Sequence, residues 1–177
     1  MSDNKLNFDD CYKEFSQKLY GVAFRMVGNH EDALDIVQGS FLKAYKNWDK
    51  FQGNSKISTW LYRIVMNLSY DLLRRRNKIK KVEFIENYKI RNNDFGGERT
   101  IEEELLLKKI KEEIEKLTPK QKTIFILRTY EELSYQEIAN VIHSRVGTVK
   151  ATYFQIIQKL RKNLKEKGEI KNGMQRD

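Results

Sequence analysis

A single proline, Pro119, and nine glycines in 177 residues leave the chain few places to turn sharply. Folds built from many short strands need turn residues often, so long helices are favoured. Apolar side chains make up 40% of the chain, which is enough for a core, and the length allows one domain or two small ones.

Spacings of three and four then locate the helices. Phe8, Tyr12, Phe15, Leu19, Val22 and Met26 line one face of a first helix, with Asn7 as N-cap, Asp9 and Asp10 at its positive end, and Gly28-Asn29 as its stop. Asn29 can cap a second helix with Glu31 and Asp32 in its first turn and Leu34, Val37, Phe41, Tyr45 and Trp48 as its expected buried stripe. Residues 51–55 read as a loop. Ser55 or Ser58 can cap a third helix with Ile57, Leu61, Ile64, Leu68 and Leu72 on one face, running into Arg74-Arg75-Arg76. Residues 79–99 read as a polar linker. Thr100 to Glu103 reads as a capping box, opening a helix with Ile101, Leu105, Ile110, Ile114 and Leu117 inward. Thr118-Pro119 restarts the chain with a cap and a first-turn proline, and Ser134 to Glu137 is a further capping box. The expected fold is all-α: two small helical domains, 1–78 and 100–177, joined by a flexible linker at 79–99.

Several functions are excluded by what the chain lacks. One cysteine, Cys11, cannot form an internal disulfide or a cysteine-rich zinc site, and it reads as a buried helix residue. Two histidines leave little for a metal centre or a catalytic triad, and no carboxylate cluster is evident, so neither catalytic residues, a metal nor a cofactor is expected. No apolar run reaches the roughly 20 residues of a membrane span. The first residues, acidic and mixed, do not read as a signal peptide, so the expected location is cytoplasmic, without membrane insertion. The net charge of +9 suggests a polyanionic partner.

The segment Leu133 to Lys150 carries the most information. A short capped helix is followed by a turn and a second helix; Ala139 is small where two helices must cross, Val149 supplies the matching contact, and Ile138 and Ile142 are expected in the core. A helix-turn-helix needs this pattern to present its second helix to the major groove, although an ordinary helical hairpin shares the spacing. The bases Lys159, Arg161, Lys162 and Lys165 follow it and can grip phosphates. In the first unit, Phe51, Asn54, Ser55, Lys56, Ser58, Thr59, Trp60, Tyr62, Arg63 and Asn67 mix aromatic, amide, hydroxyl and basic groups. Such a surface can stack on and hydrogen-bond unpaired bases, while Trp60 and Tyr62 fit equally a place in the core.

Three stretches together resemble the extracytoplasmic-function group of bacterial sigma factors, the specificity subunits of RNA polymerase: Gly28 to Gln38, Phe51 to Asn67 running on into the arginines, and Leu117 to Lys150. The resemblance implies a transcription initiation factor with no catalysis of its own. It implies that Asp35, Gln38 and Leu42 dock on the clamp helices of the polymerase β′ subunit, the β flap being a further contact. Asn54, Ser55, Lys56 and Ser58, with Trp60 and Asn67, would capture an unpaired base of the −10 element; Arg74, Arg75 and Arg76 would hold the adjacent backbone. Lys150, Thr152, Phe154 and Gln155 would read the −35 element, with Arg145 and Thr148 on phosphate. An anti-sigma factor is the implied regulatory partner, and the linker would run towards the RNA exit channel.

The chain departs from the family pattern in three places. Gly39-Ser40 stand where Glu-Thr is common, and a glycine inside a helix costs about 1 kcal/mol relative to Ala. His143 stands at the usual turn glycine and Arg145 at the usual serine cap, so either His143 takes a left-handed conformation or the turn is built differently, with Ser144 capping. The recognition helix carries Ala151, Thr152, Gln155 and Ile157 where several arginines are usual. Arginine is the commonest bidentate reader of guanine and glutamine pairs with adenine, so an altered −35 preference is expected. Two other classes fit the residues less well: a DNA-binding regulator with an N-terminal sensor or dimerisation unit, in which a sensor has no need of the loop's hydroxyls, amide and aromatics, and a nucleic-acid enzyme, for which the chain lacks a metal-binding carboxylate cluster or a nucleophile–base pair.

Overall fold

The computed structural model describes residues 7–51, 53, 55–80 and 100–166, with backbone alone at 77–80, 101–103, 165 and 166. Among them the helices are α1 (Phe8–Val27), α2 (His30–Lys46), α3 (Ile57–Lys80), α4 (Ile101–Glu115), α5 (Pro119–Thr129), α6 (Tyr135–Val141) and α7 (Val146–Glu166), with one 3-10 turn at Trp48–Lys50. The described residues contain no strand. Helix α3 runs through Lys80, and the rest of the expected linker and the chain after Glu166 lie outside the described residues.

The helix ends follow local chemistry. Asn7 Oδ1 accepts from the Asp10 amide at 2.8 Å, and Asn29 Oδ1 from the Asp32 amide at 3.0 Å. Each satisfies an amide that has no partner within its helix. Between them Gly28 closes α1 at φ 71°, a left-handed conformation that glycine adopts without a Cβ penalty. Thr118 with Gln121, and Ser134 with Glu137, form reciprocal capping boxes, and Pro119 begins α5. The box expected at Thr100 rests on Glu103, whose side chain lies outside the described residues. Helix α3 opens differently from expectation. The Trp60 amide donates to the Lys56 carbonyl, so Lys56, not Ser55 or Ser58, stands at the cap position.

Helices α1, α2 and α3 pack on one another, while α4, α5 and α6 pack around α7. The buried faces are rotated slightly from the expected stripes. In α2 the buried residues are Ala33, Ile36, Val37, Ser40, Phe41 and Ala44, while Leu34 and Tyr45 are exposed. Small residues point inward because α2 approaches its neighbours closely: a Cβ added at Gly39 would lie 3.4 Å from Leu68 Cδ1. The Ser40 hydroxyl donates to the Ile36 carbonyl at 2.6 Å, which satisfies it in the core. In α3 the buried residues are Thr59, Leu61, Tyr62, Val65, Met66 and Ser69, so Thr59 lies inside rather than on the base-facing surface; Ile57, Ile64, Leu68 and Leu72 are half-buried. Tyr12 and Leu105 are likewise exposed rather than inward, although Tyr12 keeps its ring 4.7 Å from Phe41. Cys11 is fully covered, as expected, and burial, helped by Glu14, pushes its thiol up to about 11.

The two groups of helices share a core. Leu19, Val22, Met26, Leu61, Val65 and Met66 from the first belong to one contiguous cluster with Ile124, Leu127, Ile138 and Val149 from the second. Fully burying each large aliphatic side chain is worth about 1.5–3 kcal/mol. A smaller cluster of Leu117, Phe125, Ile156 and Leu160 fixes α5 to α7. Beside it the buried Glu113 carboxylate accepts from Lys116 Nζ at 2.6 Å and Asn163 Nδ2 at 2.5 Å, which ties α4 to α7.

Candidate nucleic-acid interface

The C-terminal surface is built by a turn that only one backbone conformation completes. Helix α6 ends at Val141, and His143 takes φ 49°, so the left-handed alternative is the one realised. The Ser144 amide then donates to the Ala139 carbonyl at 3.0 Å, and the Val149 amide to the Arg145 carbonyl at 3.1 Å. Arg145 therefore occupies the cap position of α7 with its side chain exposed. Ile138, Ala139 and Val149 are buried at the crossing, as expected, joined by Val141; Ile142 is only half-buried. This packing turns one face of α7 outward. Thr148, Lys150, Ala151, Phe154 and Gln155 are exposed on it, Phe154 at 63%, and Thr152 is half-buried at its margin. A shallow apolar cleft beside this face is lined by Tyr135, Tyr153, Phe154 and Ile157, with Lys150 and Arg161 at its edges.

The second surface lies at the start of α3. Ser55 and Ser58 are half-buried, Lys56 and Asn67 exposed; Asn54 lies outside the described residues. Trp60 is half-buried and stacks on Phe51 with ring centroids 5.0 Å apart, so it belongs to an aromatic cluster that continues through Trp48 to Phe8. Tyr62 is a core residue. It is 4% exposed, its hydroxyl donates to Glu131 Oε2 at 2.7 Å, and burial first, then that carboxylate, pushes its pKa up. The arginine run divides. Arg74 and Arg75 are exposed, with Arg74 paired to Asp71 at 2.8 Å. Arg76 is half-buried; it pairs with Asp32 and donates to the Val27 carbonyl at 3.3 Å, so it ties α3 to the α1–α2 junction.

The third surface is the outer face of α2. Leu34, Gln38, Leu42 and Tyr45 follow at spacings of four, four and three, which places them on one side of the helix, with Asp35 alongside. All five are exposed, Leu42 at 61% and Tyr45 at 65%. Large apolar side chains grouped in solvent mark a face that a partner covers.

The sigma-70 region 2 profile matches residues 11–79, which hold the second and third surfaces, and the sigma-70 region 4 profile matches 107–160, which hold the first. The ECF RNA polymerase sigma factor SigW of Bacillus subtilis is 34% identical over 90% of this chain and 89% of its own length. The chain belongs to the extracytoplasmic-function sigma factors. Sigma-H of Pseudomonas aeruginosa is 30% identical over 91% of this chain and 88% of its own. Among solved structures, the sigma factor RpoE of Bartonella quintana, in complex with the anti-sigma factor NepR, superposes with a TM-score of 0.72 at 25% identity, covering 89% of this chain and 96% of that one. CnrH, in complex with the cytosolic domain of CnrY, shares the fold with a TM-score of 0.67 at 21% identity, covering 90% and 88%.

It is thus a promoter-recognising sigma factor of RNA polymerase, and sigma factors bind the core enzyme and are generally not themselves enzymes. Among the described residues no helix is long and apolar enough to cross a membrane. Two polar residues facing the start of α3 escaped the sequence reading. Glu137 Oε1 meets Lys56 Nζ at 2.7 Å, and Arg63 Nη2 donates to the Asn140 carbonyl at 2.8 Å. Glu137 was legible only as a cap. Its hydrogen bond from Lys56, reinforced by the Ser134 amide and hydroxyl, lowers its pKa to about 2, so it stays charged through the neutral and mildly acid range.

Proposed function

We propose that this sigma factor divides its work between two units, residues 1–78 and 100–177, with 79–99 as the linker. The outer face of α2, through Asp35, Gln38 and Leu42, docks on the β′ clamp helices, and the C-terminal unit meets the β flap. The loop before α3, with Asn54, Ser55, Lys56 and Ser58, captures an unpaired base of the −10 element, bordered by Trp60 and Asn67; Arg74 and Arg75 hold the neighbouring backbone. Arg76 lends its charge from the ion pair with Asp32. Trapping a flipped base offsets the few kcal/mol of unstacking, so opening needs no catalytic group, and the protein acts in the cytoplasm without a catalytic site, metal or cofactor of its own. An anti-sigma factor is the proposed regulatory partner, in keeping with the complex that the RpoE structure contains.

The observation that carries this reading is the apolar face of α2, Leu34, Leu42 and Tyr45, left open beside Asp35 and Gln38. A dimerising regulator would bury such a face against a second copy, whereas a polymerase subunit buries it against the core enzyme, and the region 2 match over residues 11–79 favours the second. Co-elution of the purified chain with core enzyme tests it directly.

The −35 reading rests on α7. Thr148, Ala151, Phe154 and Gln155 present short hydroxyl, methyl, aromatic and amide groups outward, with Lys150 as the basic member and Arg145 at the helix start. Glutamine bonds adenine bidentately, and apolar groups contact the thymine methyl. Selection of bound fragments by the polymerase complex should therefore return a −35 element poor in essential guanines, and Gln155→Ala should relax the choice at one adenine. Recovery of a G-rich, AAC-containing element would contradict this assignment.

A further inference from the structure

The side chains proposed to capture a base are mostly short, so their reach depends on where the backbone of residues 51–56 is held. Hydrogen bonds weaken steeply with distance and angle, and a serine or asparagine cannot stretch to correct a misplaced loop. Local bonds fix the two ends of this one. The Phe51 amide donates to the Trp48 carbonyl at 3.1 Å, and the Trp60 amide to the Lys56 carbonyl at 3.2 Å. Between them Gly53 turns the chain at φ 71°. A ring stack joins the ends: Phe51 lies on Trp60 with 5.0 Å between centroids and 30° between planes. Trp60 is the fourth residue after the cap position Lys56, where an apolar side chain can fix the entry of a chain into its helix.

The stack is itself supported from outside the loop. Trp48 tilts against Trp60 at 6.3 Å, and Phe8 meets Trp48 edge-on at 5.3 Å. Phe8 is also edge-on to Phe41 at 6.1 Å and to Tyr45 at 5.1 Å. Centroid spacings of about 4.5–7 Å are those of favourable aromatic pairs. The row thus runs from the loop to the first residue of α1 and the last turn of α2. Phe8, Trp48, Phe51 and Trp60 are each half-buried, so their rings rest mainly on one another. Trp60, with Phe51 on its ring, serves as a support rather than as a platform for a base.

We propose that Trp48, backed by Phe8, is a positioning residue for base capture: through Trp60 and Phe51 it holds the loop where Asn54, Ser55, Lys56 and Ser58 meet the unpaired base. The proposal rests on the assignment of this loop to the −10 strand, and the experiment separates the two. Holoenzyme assembled from core RNA polymerase and the full chain is titrated with a bubble promoter fragment from the selection described above. The −10 nucleotides of its non-template strand are replaced one at a time by an abasic site. The unmodified holoenzyme should lose about tenfold or more in affinity at one position. Trp48→Leu keeps an apolar side chain and removes the ring; it should cut that loss by about two- to tenfold while core binding stays within about twofold. Trp48→Phe returns a ring and should return the loss. Phe51→Leu, outside any helix, should act as Trp48→Leu does. It should also shift the tryptophan emission of the free chain to longer wavelength, since Trp48 and Trp60 are the chain's two tryptophans. An abasic loss that stays the same in both leucine variants would overturn the positioning role and leave the −10 assignment standing. A fall in core binding as large as the fall in base discrimination would do likewise. Emission unchanged by Phe51→Leu would overturn the stack on which the role depends. No abasic loss at any position in the unmodified holoenzyme would overturn both the role and the assignment.

Discussion

Replacing Leu42 by arginine should weaken binding to core RNA polymerase by roughly 30- to 1000-fold, while the free protein unfolds at nearly the same urea concentration as before. The two halves of this expectation have separate causes. Leu42 is 61% exposed, so its change removes little packing within the chain, and surface substitutions of that kind usually shift stability by no more than about 0.5 kcal/mol. The same side chain lies between Leu34 and Tyr45 in the apolar row proposed to dock on the polymerase. Truncating or charging a central interface residue costs about 2–4 kcal/mol, and every 1.4 kcal/mol is tenfold in Kd. Gel filtration of mixtures with core enzyme, beside urea unfolding of the free chain, measures both. An unchanged Kd would move polymerase docking off this face.

Ile138→Ala should have the opposite profile, a large loss of stability that reaches the promoter contacts through the fold. Helix α6 has only seven residues, too few to hold together on intrinsic propensity, so it depends on packing. Ile138 is fully buried in the cluster that joins the two helical groups, next to the crossing of Ala139 with Val149. Removing its methyl groups forfeits burial and leaves a cavity, a loss of about 2–5 kcal/mol for substitutions of this type. Equilibrium urea unfolding should show it as a lower midpoint. Leu105→Ala, at a residue 52% exposed, provides the contrast and should change the midpoint little. Equal effects from the two would mean that α6 is not anchored as described.

The helix boundaries were largely legible in the sequence because caps are local. Asn7, Asn29, Thr118 and Ser134 each bind an amide three residues on, and three-residue patterns are visible without a structure. The same locality made the turn at His143 legible as one of two alternatives. The phase of the buried faces was less so. Leu34 and Tyr45 rank as core residues by hydrophobicity, yet Ala33, Ser40 and Ala44 take the inward positions because α2 lies close against its neighbours. Hydrophobicity alone does not distinguish a side chain buried by its own fold from one left exposed for a partner, and Leu34, Leu42 and Tyr45 are exposed. Arg76 is expected from sequence to hold the DNA backbone with Arg74 and Arg75, since nothing near it in sequence announces Asp32, 44 residues away. The contacts of Lys56, Tyr62, Arg63 and Thr123 across the two groups were invisible for the same reason. Pairings over more than 50 residues follow from tertiary packing, and no periodic pattern encodes them.

The basic surplus that first suggested a polyanion is partly committed within the fold: Arg76 to Asp32, Lys56 to Glu137, and the buried Lys122 to Glu115 at 2.7 Å. Arg74, Arg75, Arg145 and Lys150 remain exposed beside the two surfaces proposed to meet DNA. Phosphate contacts position a protein on DNA and base contacts specify the sequence. In the proposed reading the second task falls largely to uncharged side chains on α7 and in the loop before α3.

The central claim is that this chain supplies promoter choice to a polymerase that lacks it. Reconstitution tests it most directly: core RNA polymerase, the purified chain, and a library of promoter fragments, with single-round transcripts sequenced at their starts. The account predicts that the chain co-elutes with core enzyme and that defined start sites appear only in its presence, each preceded by a shared −10 and −35 pair. A chain that bound duplex promoter fragments tightly by itself, ignored the core enzyme and produced no new start sites would contradict it.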